Sequence, residues 1–295
     1  MKRLSQKRKI FLECRRRRIE RRRAARRIGL KVLRKFRRLD KDVIRAPDTI
    51  SLESGQRRHE LMSFLDELRT RVLKEERPTV INFFNTERMI AAGSLLFTAE
   101  LYRICGLAKN KQMVRCIPPR HIKVSQVLKQ IGVYELLGYK RAIKPSFNDV
   151  VHWRYACGHQ VEGEKYENIL GGYDGKVAES LLGSLFRGIT EAMTNCHHHA
   201  YIKPRPDGIE DEPSMKRWWM FSQEQAGYLT VAFCDLGVGI PETLPVTRPG
   251  VWKKLLALGK AGSDSWAIKQ AIDDSITRTK KHYRGKGLRQ LLEAA

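Results

Sequence analysis

Glu191-Ala-Met-Thr-Asn195-Cys-His-His-His199-Ala200-Tyr201 is the stretch whose reading decides the fold. Apolar residues lead into it at Ala178, Leu181, Leu182, Leu185 and Ile189, and continue at Ala192, Met193 and Cys196. At about 100° per residue these positions share one face of a helix. Glu191, Asn195 and His199 are each four apart and stack as a stripe beside that face. A helix of this kind can present a base and an amide oxygen to one ligand. An ordinary core helix with polar edge residues has the same spacing, so the rest of the chain must decide between the two.

Two further stretches bear on that choice. Leu229-Thr-Val-Ala-Phe-Cys234 is an apolar, strand-like run that ends in Asp235-Leu-Gly237-Val-Gly239-Ile-Pro241. Gly237 and Gly239 remove side chains just past the strand, which lets the backbone bend and approach a flat ligand closely. Arg284-Gly285-Lys286-Gly287-Leu288 then opens a last helix-like segment. Backbone N–H groups of glycines at a helix start suit phosphate, and Arg284 and Lys286 add positive charge. This is not a Walker motif, because G-x4-G-K-[ST] is absent.

The three stretches, in this order, resemble the GHKL superfamily: the ATP-binding domains of gyrase-type topoisomerases, heat-shock chaperones, histidine kinases and MutL-type repair proteins. The wording Glu-Ala-x-Thr-Asn-x3-His-Ala is most similar to the anti-sigma-factor serine kinases. The resemblance covers roughly residues 176 to 295 and implies an ATP site of the chain's own residues. Asp235 would accept a hydrogen bond from the adenine amino group, with Gly237 and Gly239 shaping the approach. Asn195 would offer its amide oxygen to Mg²⁺ beside phosphate oxygens and water. Glu191 would orient or deprotonate the attacking water or hydroxyl. Gly285, Lys286, Gly287 and Leu288 would meet the phosphates, and residues 262–283 would form a lid. His199 closes the motif and is expected to pack or cap. His197 and His198 point in other directions on a helix, which argues against one metal held by all three. GHKL domains continue into further strands after G-x-G-L, whereas Ala295 follows Leu288 by seven residues. The expectation is therefore a shortened sheet or a truncated product.

Composition adds a second theme. The chain has 295 residues and a formal net charge of +25. Residues 1–42 hold 20 Lys and Arg against Glu13, Glu20, Asp40 and Asp42, so most of the excess lies there. Arg15, Arg16, Arg17 and Arg18 form one run, and Arg21, Arg22 and Arg23 a second. With no Pro and some apolar content, a long, partly helical arm is expected. Such an arm binds phosphate backbones by counterion release, without reading sequence. Nucleic acid is the leading partner; a solvated tail and a membrane surface are the alternatives. The apolar runs are too short for a membrane span, and the charged N-terminus is no secretory signal. Six scattered cysteines without C-x-x-C spacing read as reduced thiols in a cytoplasmic protein.

Between arm and ATP module, strands and helices alternate. Residues 52–74 read as a linker helix, with Leu61, Phe64, Leu65, Leu68 and Val72 on one face. His59-Glu60-Leu61 is not taken as a phosphoacceptor, because another domain intervenes before the ATP module. Val80–Phe84 is strand-like, Ile90–Leu107 helical, Met113–Cys116 strand-like and Ser125–Ile131 helical. That order implies an α/β domain. Asn82-Phe-Phe with Ala91-Ala92-Gly93-Ser94 and the later Val-Leu-Lys-Gln-Ile-Gly resembles a STAS domain, the fold of anti-sigma antagonists, over about residues 79–139. The antagonist's phosphoacceptor hydroxyl precedes the glycine; here that residue is Ala92, which implies docking to a protein partner rather than a phosphorylated switch. An edge strand is expected near Val150–Tyr155.

The fold class expected is therefore α/β and α+β. A basic arm (1–48) and linker helix (49–77) lead to a small STAS-like α/β domain (78–145). A GHKL-type α/β sandwich, short at its C-terminus (146–295), follows. The function expected is an ATP- and Mg²⁺-binding regulatory protein held on nucleic acid by its arm. The alternatives are a serine/threonine protein kinase and a non-enzymatic nucleic-acid-binding protein with a degenerate ATP site.

Overall fold

The computed structural model describes residues 42–277, apart from 111, 141, 145, 148–149, 151–153, 163, 166–178, 226–227 and 261. The arginine runs of the arm, and Gly285, Lys286, Gly287 and Leu288, lie outside the described residues.

The chain is mixed α/β. Its first part alternates short strands and helices: β1 (Val43–Arg45), β2 (Thr49–Ile50), α1 (Gly55–Arg69), β3 (Thr79–Asn82), β4 (Arg88–Met89), α2 (Ala91–Leu107), β5 (Val114–Ile117), α3 (Ile122–Gln130) and the one-turn α4 (Val133–Leu136). The strands order β1-β3-β5 in one sheet, with β3 and β5 parallel and Ile81 opposite Cys116. β2 and β4 pair in parallel beside them. α1 starts where the Ser54 hydroxyl accepts from the Arg57 N–H at 3.2 Å, the usual way to satisfy an orphan first-turn donor. It buries Leu61, Phe64, Leu65 and Leu68 at helical spacing and leaves its opposite side exposed. It then passes into a π turn at Thr70–Lys74 rather than running on as α-helix.

α2 is buried on nearly every side, as expected of a helix apolar over most of its surface, and it carries Glu100 and Arg103 as buried charges. Gly93 lets it lie directly on β2: a Cβ there would sit 2.7 Å from the Ser51 Cα. Ser94 is fully buried.

The second part begins with β6 (Arg154–Gly158), followed by α5 (Glu179–Asn195), β7 (Trp218–Gln225) and β8 (Tyr228–Asp235). These strands form an antiparallel sheet in the order β6-β7-β8. Trp218 and Met220 of β7 pack with Ile189, Met193 and Cys196, while Trp219 and Phe221 join the core built around α2. The sheet thus has a helix on each face, α5 on one and α2 on the other. The segments expected as a STAS-like and a GHKL-like domain share this core, and Ile44 onward forms one compact unit.

Three helices complete the described chain: α6 (Ile240–Thr247), α7 (Pro249–Ala257) and α8 (Asp264–Thr277). They close on Leu244, Val251, Leu255, Ala267 and Ala271. α8 occupies most of the segment expected as a lid. The edge strand expected near Val150–Tyr155 lies later, at Arg154–Gly158, and Val150 is fully buried outside it. Among the described residues, no helix is long and apolar enough to cross a membrane.

Candidate functional site

α5 turns its apolar stripe to the sheet and leaves Glu191 and Asn195 half-buried at the side. The α-helical repeat stops at Asn195. Cys196–Ala200 is a π turn, so His199 does not continue the four-residue stripe in register. The wider turn delivers Ala200 to the end of β8, where its carbonyl accepts from the Val238 N–H at 3.0 Å. Gly237 lies against the same carbonyl: a Cβ at this position would be 2.2 Å from the Ala200 oxygen. The Ala of the helix motif and the first Gly of the strand-end motif are therefore one contact. Tyr201 locks the joint. Its hydroxyl donates to the Arg217 carbonyl at 2.5 Å and accepts from the Leu236 N–H at 3.0 Å.

Asp235 ends β8 opposite Trp218. Its Oδ1 accepts from the Gly237 N–H at 2.9 Å, fixing the carboxyl at the turn. Burial pushes this carboxyl up from the ordinary range; the Gly237 N–H and the charge of Arg205 pull the other way without cancelling it. Gly239 has φ +84°, a conformation strained for any L side chain, and it starts α6. Pro241 in the first turn lacks an N–H where a helix needs none.

Asn195, Asp235 and Gly239 line one cavity of about 370 Å³. Ala192, Phe233, Ile240, Leu244 and Ala271 give it apolar walls, and His199, Thr243, Thr247 and Arg248 add polar groups. Arg248 Nη1 donates to the Ala271 carbonyl at 3.1 Å, tying the end of α6 to α8. Burial, with the positive fields of His198 and Arg248, lowers the His199 imidazole below its usual value, against the charge of Glu191. Glu191 does not line the cavity, although its charge reaches His199. Gly237 does not line it either and acts through Ala200.

Thr243, Thr247 and Arg248 were not anticipated as site residues. The four-residue spacing of the two threonines was a signal in the sequence; Arg248 had none, because only the packing of α6 on α8 turns it to the cavity. His199, expected to pack or cap, is exposed at the rim and lines the cavity. Comparison with known proteins returned no matching family, no similar curated protein and no similar solved structure.

Proposed function

We propose that this cavity binds ATP with Mg²⁺ and that the chain is a GHKL-type, nucleotide-responsive regulatory protein held on nucleic acid by its basic arm. One observation carries the reading. Asn195 and Asp235, 40 residues apart and picked out by separate motifs, line the same cavity with Gly239. Its volume falls within the ordinary range for small-molecule sites, and apolar walls with a few placed polar groups suit a planar base. The Asp235 carboxylate accepts the adenine amino group. Phe233 and Ile240 supply apolar surface to the ring. A single neutral amide, Asn195, fits Mg²⁺, which keeps most of its ligands as water and phosphate oxygen. Arg248 adds a positive group for the phosphates.

The position of Glu191, outside the cavity lining, favours a site that binds and signals over one that turns ATP over. Hydrolysis, or transfer to a protein hydroxyl, is the second reading, supported by the motif that places Glu191 one turn before Asn195. In either, Glu191 serves as the base. γ-Labelled ATP separates them: free phosphate marks an ATPase, label on protein marks a kinase, and neither marks a binding site.

Calorimetric titration with ATP and Mg²⁺ tests the proposal. Asp235→Ala weakens binding by about 1.5–3 kcal/mol, the worth of a hydrogen bond to a charged group. GTP, with a carbonyl in place of the amino donor, binds less well than ATP. Equal affinities for ATP and GTP would remove Asp235 from base recognition.

A further inference from the structure

A second cavity, of about 430 Å³, opens in the segments that follow the parallel strands β3 and β5. Open parallel sheets place their ligands there, beyond the carboxyl ends of the strands. Glu53 comes after β2, Glu87 and Arg88 come after β3, and Lys123 lies in the first turn of α3. Gln223 and Thr230, cross-strand partners in β7 and β8, line the same space. Met89, Val124 and Val127 give it an apolar wall, and the two valines are buried. None of these residues lines the cavity proposed for ATP.

The backbone of the adjacent charged pair is fixed. The N–H groups of Glu87 and Arg88 both donate to the Asp48 carbonyl, at 2.8 and 3.3 Å, and Arg88 pairs with Thr49 in the β2-β4 ladder. Their side chains are exposed and have no ion pair or hydrogen bond among the described residues. Glu53 is engaged: its carboxylate accepts from the Ser51 hydroxyl at 3.4 Å and lies 3.6 Å from the Arg57 guanidinium. A carboxylate and a guanidinium, each without a partner, therefore stand side by side at the edge of an apolar wall.

The balance of charge selects the ligand. The lining carries two carboxylates, Glu53 and Glu87, and two cations, Arg88 and Lys123. A polyanion such as a nucleotide meets the carboxylates, and a polyamine meets the cations; like charges brought together are penalised. A small molecule with one charge of each sign and an apolar group satisfies the whole lining.

We propose that this cavity binds a free α-amino acid with a large apolar side chain. Arg88 holds the carboxylate, Glu87 the ammonium group, and Met89, Val124 and Val127 the side chain. The guanidinium presents two N–H groups in a fork that matches a carboxylate. Gln223 and Thr230 add neutral donors and acceptors that fix orientation, and the volume is in the ordinary range for small-molecule sites. The inference is independent of the ATP reading and stands or falls separately.

Calorimetry on the full chain with L-leucine, L-methionine and L-phenylalanine tests it. Each is measured beside its carboxamide, which lacks the carboxylate, and its N-acetyl form, which lacks the ammonium group. At least one amino acid binds, and each of its derivatives binds about tenfold more weakly, the worth of a lost hydrogen bond between charged groups. Arg88→Gln lowers affinity for the amino acid by a similar factor but leaves that for the carboxamide unchanged. Glu87→Gln does the same toward the N-acetyl form. Both side chains are exposed, so thermal unfolding of the variants stays close to that of the parent.

No binding of any of the three at millimolar concentration overturns the proposal, as does a derivative that binds as well as its parent. Affinity unchanged in both variants places the amino acid outside this cavity and overturns it too. Variants that weaken every ligand alike report a distortion of the fold in place of two lost contacts, and that result also overturns it.

Discussion

Residues at this site divide into those that line the cavity and those that make it. Asn195 and Asp235 line it; Gly237 does not, yet it sets the joint between helix and strand through the Ala200 carbonyl. The distinction predicts different phenotypes. Asn195→Ala removes one amide oxygen from the cavity and leaves the apolar face of α5 intact. Titrated with ATP, it should lose the gain in affinity that Mg²⁺ gives the parent, while affinity in EDTA stays close to parental. A loss of equal size with and without Mg²⁺ would place Asn195 on the base or the phosphates instead of the ion. The Asp235 loop was legible in the sequence because its chemistry is local: an acidic strand end, then Gly237 where a Cβ does not fit and Gly239 at a positive φ. The buried ion pair of Arg205 with Glu100 was not legible. Its members are 105 residues apart, and neither belongs to a motif. Glu100 sits, with Arg103, in a helix that otherwise reads as apolar core.

At the scale of elements, β7 shows how legibility fails. Trp218 to Ser222 are all buried because α5 covers one face of the sheet and α2 the other. A strand covered on both faces loses the alternation that marks a half-exposed one. Its neighbour β8 was recognised from its apolar run and from the turn that ends it. α5 was recognised from its 3.6-residue repeat, but the π turn after Asn195 has no sequence mark, and it moves His199 off the expected stripe. Two glycines make this architecture testable. Gly183 lies inside α5 with, among the described residues, only the tip of Arg187 near, at 3.9 Å, so Gly183→Ala should stabilise the protein by about 0.5–1 kcal/mol. At Gly237 the added methyl meets a backbone carbonyl that cannot yield cheaply, and Gly237→Ala should cost about 1–3 kcal/mol. Thermal unfolding of the two variants checks both signs. A neutral Gly237→Ala would mean that the loop and the π turn separate easily and do not form the joint inferred here.

For the whole molecule, charge and fold are distributed differently along the chain. The core from Ile44 onward is one unit in which α2 and α5 clasp the β6-β7-β8 sheet. Residues 1–42 carry 20 of the 57 Lys and Arg, beside four acids. Charge of that density has an electrostatic consequence that needs no fold. Neutralising phosphates releases counterions, and affinity falls with salt with a logarithmic slope of about −0.9 per phosphate contacted on duplex DNA. The arm has no base-reading motif, and Phe11 and Phe36 are too few for a stacking platform. Binding should therefore be strong at low salt, steeply salt-dependent and nearly indifferent to sequence. Deleting residues 1–42 should abolish most of it while leaving thermal unfolding of the core close to that of the full chain, since the cut falls before β1 begins at Val43. Anisotropy titrations of both proteins on unrelated duplexes at several salt concentrations decide the matter. Retained affinity in the deleted protein would move the nucleic-acid surface onto the folded core. Affinity of the full chain that ignores salt would mean the arm's charge is not what binds.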